Sequence, residues 1–193
     1  MAALTFDEAH FDALYRRDPD PWKFRGSSYE HEKYAATVAA LPGARYRHVL
    51  ELGSSIGELT ARLAERAERV TGIETSSVAI AAARHRCSAL PGVSFIHAHL
   101  PAGDWALESD AVVLSEVLYY LAEAGVKSVA ERLRRCAPLS DLVLVHWTGT
   151  TDYPLAGDHA SDLFIEEYGA DGWRHTRTPD YRLDVLSRQQ NSR

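Results

Sequence analysis

Residues 48–57 read His48-Val-Leu-Glu-Leu-Gly-Ser-Ser-Ile-Gly57, and Glu74 follows at the end of the next apolar run. The segment from His48 to Leu52 predicts a buried strand. Gly53 and Gly57 bracket Ser54 and Ser55, a turn in which backbone can approach a ligand with no bulky side chain in the way. Ile56–Arg66 then predicts a helix and Arg69–Glu74 a second strand. A strand, a glycine turn, a helix and an acid beyond them form the setting in which two ribose hydroxyls are held, so a nucleoside-containing ligand is expected here.

The same alternation continues downstream. Ser76–Ala89 predicts a helix ended by Pro91-Gly92, Val93–His97 a third strand, Asp110–Ser115 a fourth, Leu121–Ala137 a helix and Leu142–Trp147 a fifth strand. The run Leu142-Val-Leu-Val145 is too continuously apolar for a sheet with one wet face. Repeated strand–helix units imply right-handed crossovers and a parallel sheet covered on both sides. Trp173–Arg177 and Tyr181–Ser187, separated by Pro179-Asp180, predict a terminal antiparallel hairpin. The fold class is therefore α/β, Rossmann-like, with a mostly parallel seven-stranded sheet. Before this core, Leu4–Arg17 predicts a helix stopped by Asp18-Pro-Asp-Pro21, and Ser27 or Ser28 caps a second one running to Leu41. The organisation expected is a single domain, 1–193: a helical, aromatic cap over 1–43, a cofactor-binding core over 46–147, and an acceptor-side loop and hairpin over 148–193.

Composition narrows the function classes. The chain has 193 residues with 46% hydrophobic and 25% charged, ordinary for a folded soluble protein. Its net charge of −6 offers no positive surplus for phosphates, so nucleic-acid and anionic-membrane partners are not expected. Cys87 and Cys136 lack a C-x-x-C spacing and read as reduced thiols. Residues 1–11 carry acids and no apolar signal core, and the longest apolar stretch, Ala111–Ala122, is interrupted by Ser115 and Glu116. A cytoplasmic location is the expectation.

Three chemistries compete for the glycine turn. Gly53-Ser-Ser-Ile-Gly57 fits G-x-S-x-G, the nucleophile elbow of serine esterases, with Ser55 as nucleophile. Against it, an elbow follows earlier strands, and only helical sequence precedes this one. A dinucleotide site wants G-x-G-x-x-G and a pyrophosphate on the helix N-terminus, which Glu51 would repel. A carboxylate at Glu51 instead suits a cation, such as the sulfonium and α-ammonium of S-adenosylmethionine.

On these residues the chain resembles the class I S-adenosylmethionine-dependent methyltransferases, with Glu51, Gly53, Ser55 and Gly57 in their first motif and Glu74 as the ribose-binding acid. More narrowly it resembles the nodulation protein S family, N-methyltransferases of the free amine of a deacetylated chitooligosaccharide. That likeness is carried by Asp20-Pro-Trp-Lys-Phe24, Tyr29-Glu-His-Glu-Lys-Tyr34, Glu51–Gly57, Leu114-Ser-Glu-Val-Leu-Tyr-Tyr120, His146-Trp147 and Asp152–Asp158. The resemblance implies S-adenosyl-L-methionine as cofactor, S-adenosyl-L-homocysteine as product and a small-molecule or oligosaccharide acceptor. It implies a cofactor set of Glu51, Gly53, Ser54, Ser55, Gly57, Glu74, Thr75, His99, Leu100, Ser115, Trp22 and Tyr29. Two departures matter: Ser55 replaces a glycine, which a negative φ would permit, and His99 stands where an acid often faces the adenine amine. O- or N-methylation of another small metabolite is the alternative acceptor chemistry.

An amine nucleophile must be neutral, which asks for a carboxylate or histidine beside it. Glu116 interrupts the apolar run after the fourth strand, at a cost unless paired, and is the first candidate. His146, ending the fifth strand, is the second, and Tyr119 shares the Glu116 turn. Trp22, Tyr29 and Tyr34 are candidates for an aromatic lid. Asp152, Tyr153, Asp158 and His159 are placed in a long acceptor-side loop. His97-x-His99 lacks a third ligand, so no metal is expected.

Overall fold

A computed structural model describes residues 6–187, so the start of the first predicted helix, at Leu4, lies outside the described residues. Strands β1 (Tyr46–Leu52), β2 (Ala67–Glu74), β3 (Val93–His97), β4 (Ala111–Ser115) and β5 (Asp141–Trp147) pair in parallel. The tail forms the expected hairpin, β6 (Arg174–Arg177) and β7 (Tyr181–Leu186), with β7 inserted antiparallel between β5 and β6. The sheet order is β3-β2-β1-β4-β5-β7-β6. The chain thus builds outward from β1 through β3 and then crosses back to β4. That reversal opens a crevice above the carboxyl ends of β1 and β4, the place where such sheets bind ligands.

Alternation along the strands sends side chains to two cores. Leu50, Leu52, Val112, Leu114, Leu142 and Leu144 bury with residues of α5 (Glu123–Cys136) and α6 (Gly157–Tyr168). Val49, Val70, Val113, Val143 and Val145 bury on the other face with Tyr34 of α2 (Ser28–Ala40) and with Leu59 and Leu63 of α3 (Glu58–Leu63). Each such burial contributes about 1.5–3 kcal/mol before chain entropy is set against it. A smaller cluster, Ile80, Ala83, Cys87 and Phe95, seats α4 (Ser77–Arg86) near the β3 edge.

Side-chain caps start three of the helices. Asp7, Ser27 and Ser76 each accept the backbone N–H three residues on, opening α1 (Glu8–Arg17), α2 and α4. In the Asp18-Pro-Asp-Pro21 link, the Asp20 carboxylate accepts the N–H groups of Phe24 and Arg25 and turns the chain toward α2.

Two expectations are corrected. The helix after the glycine turn begins at Glu58 rather than Ile56, because Gly57 sits at φ +82° and leaves Ile56 buried in the turn. Residues 157–168, expected as part of a long loop, form α6, so Asp158 and His159 are helical residues. Cys87 and Cys136 are free thiols. Among the described residues no helix is long and apolar enough to cross a membrane.

Candidate active site

The glycine turn leaves β1 through three left-handed residues, Gly53 at φ +83°, Ser55 at +48° and Gly57 at +82°. A Cβ on Gly53 would meet the Val117 Cβ at 2.9 Å, so this position needs glycine for space as well as for conformation. Gly57 needs it for packing: a Cβ there would lie 3.2 Å from the Ala83 backbone. The negative φ expected at Ser55 is not found. Its positive φ, costing about 1–2 kcal/mol for an L-residue, is held by two bonds. The Ser55 N–H donates to Glu74 Oε2 at 2.8 Å, and Ser55 Oγ lies 2.5 Å from the Tyr15 hydroxyl. That tyrosine, rather than a histidine, is the recorded partner of Ser55 Oγ, and the geometry gives the esterase reading no support.

Glu74 is a hub. Its Oε1 accepts the N–H groups of Thr75 at 2.9 Å and Ser76 at 2.8 Å, while Oε2 takes that of Ser55. Burial pushes its carboxyl above the usual range, and these three bonds oppose that. Glu51 is buried beneath the turn, bonded by the Thr60 hydroxyl at 2.5 Å, and burial pushes its carboxyl up to about 8.

Above these acids lies a cavity of about 320 Å³. Of the expected cofactor residues, Glu51, Gly53, Ser54, Ser55, Glu74, Thr75, His99, Leu100, Ser115, Trp22 and Tyr29 line it; Gly57 does not. His99 reaches Thr75 Oγ1 through Nδ1 at 2.8 Å. The roof is aromatic: Phe6, Phe11 and Tyr15 come from α1 and its approach, Trp22 and Phe24 from the link, Tyr29 and Tyr34 from α2. Trp22 and Phe24 stack with centroids 5.5 Å apart. The roof is fixed to α4 by Asp12, whose carboxylate accepts from the Ser76 and Ser77 hydroxyls at 2.6 and 2.9 Å.

At the far wall Glu116 and Tyr119 line the cavity as expected, and Tyr120 and Tyr153 join them. Glu116 is itself left-handed, at φ +54°. Its Oε2 accepts the Tyr119 hydroxyl at 2.7 Å and the Trp147 N–H at 2.8 Å, and its Oε1 receives the Lys33 ammonium at 2.5 Å. Lys33 also donates to Glu30 Oε1 at 3.1 Å, and its Nζ sits 5.0 Å from the Tyr29 ring centroid. Burial works against the lysine charge, but the two carboxylates outweigh it and hold the ammonium above its usual range.

His146 is drawn away from the site. It is fully buried, does not line the cavity, and accepts the Leu118 N–H at Nε2 (3.2 Å) while its Nδ1 lies 3.2 Å from Ser161 Oγ. The proton must therefore sit on Nδ1. Burial lowers the ring to about 4, so it stays neutral and tethers the Leu118–Tyr120 turn to α6. Asp158 and His159 pair at the surface with Arg177 and Glu123 and do not line this cavity. Glu30, Lys33, Phe11 and Tyr15 are among the lining residues absent from the expected set. Among the described residues no group of His, Cys, Asp and Glu is arranged to hold a metal ion.

The chemistry of the donor set fits S-adenosylmethionine. Among the described residues no cation pairs with Glu51, and burial pushes its carboxyl up, the state expected of a carboxyl awaiting a positive ligand. Ser54 and Tyr29 line the cavity, and among the described residues their buried hydroxyls have no hydrogen-bond partner, a cost that a polar ligand group could relieve.

Comparison with known proteins gives the family of the chain. The model of the Nodulation protein S (NodS) family matches residues 8–139. Nodulation protein S of Rhizobium tropici is 29% identical over 127 residues, which are 64% of this chain and 53% of that protein, so the chain spans about half the length of that relative. A Pseudomonas syringae crystal structure carrying a methyltransferase assignment is 32% identical with a TM-score of 0.74, covering 84% of this chain and 100% of that one. The N-methyltransferase NodS of Bradyrhizobium japonicum WM9, solved with S-adenosyl-L-homocysteine, shares the fold at a TM-score of 0.77 and 18% identity, covering 92% and 96% of the two chains. The family match spans the roof from Phe11 onward, the glycine turn, Glu74 and Glu116, and the chain belongs to the nodulation protein S family.

Proposed function

We propose that the protein is an S-adenosylmethionine-dependent methyltransferase acting on a small acceptor, with the free amine of a deacetylated amino-sugar oligomer as the preferred candidate. The observation that carries this reading is Glu51: a buried, cation-less carboxyl under a left-handed glycine turn, with Glu74 beside it. When bound, S-adenosylmethionine supplies an electrophilic methyl on a sulfonium centre. Glu51 and Ser54 would hold its charged amino-acid end, Glu74 its ribose, and Leu100 and His99 its base. The aromatic roof keeps water from the transfer point, and the Glu116–Tyr119 wall orients the acceptor, since alignment dominates the rate of a displacement of this kind. The name N-methyltransferase carried by one structural relative supports an amine acceptor, and a cavity lined by five glutamates against one lysine suits a basic one.

The test is transfer of labelled methyl from S-adenosylmethionine to a deacetylated chitooligosaccharide, its fully N-acetylated counterpart and hydroxyl-only glycans. Label on the first alone supports the reading. Label on hydroxyl-only acceptors moves it to O-methylation, and failure to bind S-adenosylhomocysteine in a calorimeter ends it.

A further inference from the structure

Three candidate proton acceptors lie near the acceptor wall, and the structure separates them. Glu116 is already bonded by three donors, Lys33, Tyr119 and the Trp147 N–H, so both of its oxygens are engaged. His146 is buried away from the cavity with both nitrogens engaged. Glu30 differs: its Oε1 meets Lys33, while Oε2 is buried with no hydrogen-bond partner among the described residues, and the residue lines the cavity. Its side chain is 10% exposed. A buried carboxylate oxygen without a partner is costly, and a ligand donor would remove that cost.

We propose that Glu30 Oε2 receives the acceptor's amine, anchoring its N–H and taking its proton, while Lys33 and Glu116 form the pair that positions Glu30. This rests on the methyltransferase reading above. In the step, one N–H bond of the acceptor ammonium breaks, the proton passes to Glu30 Oε2, the nitrogen keeps the lone pair, and a neutral carboxylic acid faces a neutral amine. The charged and titratable groups around Glu30 are consistent with the role. Lys33, Tyr29 and Tyr34 face it from its own helix, Glu116 from the turn after β4, and Asp20 from the link. Burial raises the Glu30 carboxyl, Glu116 and Asp20 add to this, and Lys33 opposes it. A raised carboxyl is the better base near neutral pH.

The experiment compares wild type with Glu30→Gln, each saturated with S-adenosylhomocysteine, by calorimetry with glucosamine and with glucose, which differ at one substituent. Both proteins are expected to bind S-adenosylhomocysteine within about twofold, showing an intact fold. Wild type is expected to favour glucosamine over glucose by at least about tenfold, and the variant to lose that preference, as for removal of one hydrogen bond to a charged group. Transfer to a deacetylated chitooligosaccharide should fall by roughly 10²–10⁴ near neutral pH and recover as pH rises and the acceptor sheds its own proton. A variant that keeps the glucosamine preference, a wild type that shows none, or a loss of transfer equal at every pH overturns the assignment. Absence of S-adenosylhomocysteine binding by wild type overturns instead the reading on which it rests.

Discussion

Lys33 and Glu116, 83 positions apart in the chain, meet through a 2.5 Å contact that ties α2 to the turn after β4. Their side chains are 3% and 14% exposed, and Glu30 completes the group on the lysine's other side. Truncating one partner of such a pair leaves a buried charge alone. Lys33→Met is therefore expected to lose about 3–5 kcal/mol of stability, read as the urea midpoint at constant slope. Lys33→Met combined with Glu116→Gln should be less unstable than the sum of the two single changes, because the second removes the charge the first strands. Strict additivity would show that the pair carries no coupling.

Ser55 gives a sharper test of local conformation. Ser55→Ala keeps the left-handed φ of +48° and loses the Tyr15 bond, so it should cost about 1 kcal/mol. Ser55→Gly loses the same bond but relaxes the backbone, so it should be more stable than Ser55→Ala and close to wild type. Neither should abolish binding of S-adenosylhomocysteine, since Ser55 holds Glu74 through its backbone N–H. A thermal melt in which the glycine variant is the less stable of the two would contradict the strain argument.

The sheet was legible because its five parallel strands are short apolar runs and each turn residue has a local reason to be where it is. The Gly53–Gly57 turn and Glu74 were legible for the same reason. α6 was not: Ala156 offers no side-chain cap, and residues 157–168 carry polar groups among the few apolar ones that bury, Leu163, Phe164 and Tyr168. The far wall was only half legible. Glu116 announced itself as a charge in an apolar run, but nothing local says that Lys33 crosses to meet it. The Glu30–Lys33 spacing on one helix face was the available signal, and it reads equally well as a surface pair. His146 shows the reverse error, a rim position whose side chain turns inward to tether the 3₁₀ turn.

Asp12 fixes the roof, and its removal should loosen the roof before the sheet. Burial alone would raise its carboxyl, but the bonds from Ser76, Val78 and Ser77 and the charge of Arg16 outweigh this and hold it below the usual range. A depressed acid stabilises the fold above its unfolded pKa, and that contribution fades as pH falls through the lower folded value. Asp12→Ala should therefore speed hydrogen exchange over residues 8–17 selectively and weaken S-adenosylhomocysteine binding several-fold, because Phe11 and Tyr15 ride on that helix. Unchanged protection of α1 in the variant would remove Asp12 from this role.

Glu51 makes donor binding pH-dependent. Its carboxyl, pushed up to about 8, is mostly protonated at pH 7, whereas a ligand ammonium or sulfonium favours the carboxylate. Binding should therefore expel close to one proton at pH 7, and affinity should rise with pH up to about 8 by at most tenfold per unit. The unliganded protein should show the opposite trend in stability. Between the usual value of 4.5 and about 8 the folded state binds the extra proton, so this group's contribution is lost as pH rises through that window. Titration of S-adenosylhomocysteine in phosphate and in Tris, whose ionisation enthalpies differ, counts the expelled proton directly. Glu51→Gln should abolish the buffer dependence and flatten the affinity profile. A wild type with identical heats in both buffers at pH 7 would mean that Glu51 keeps its protonation state on binding, and would overturn this prediction.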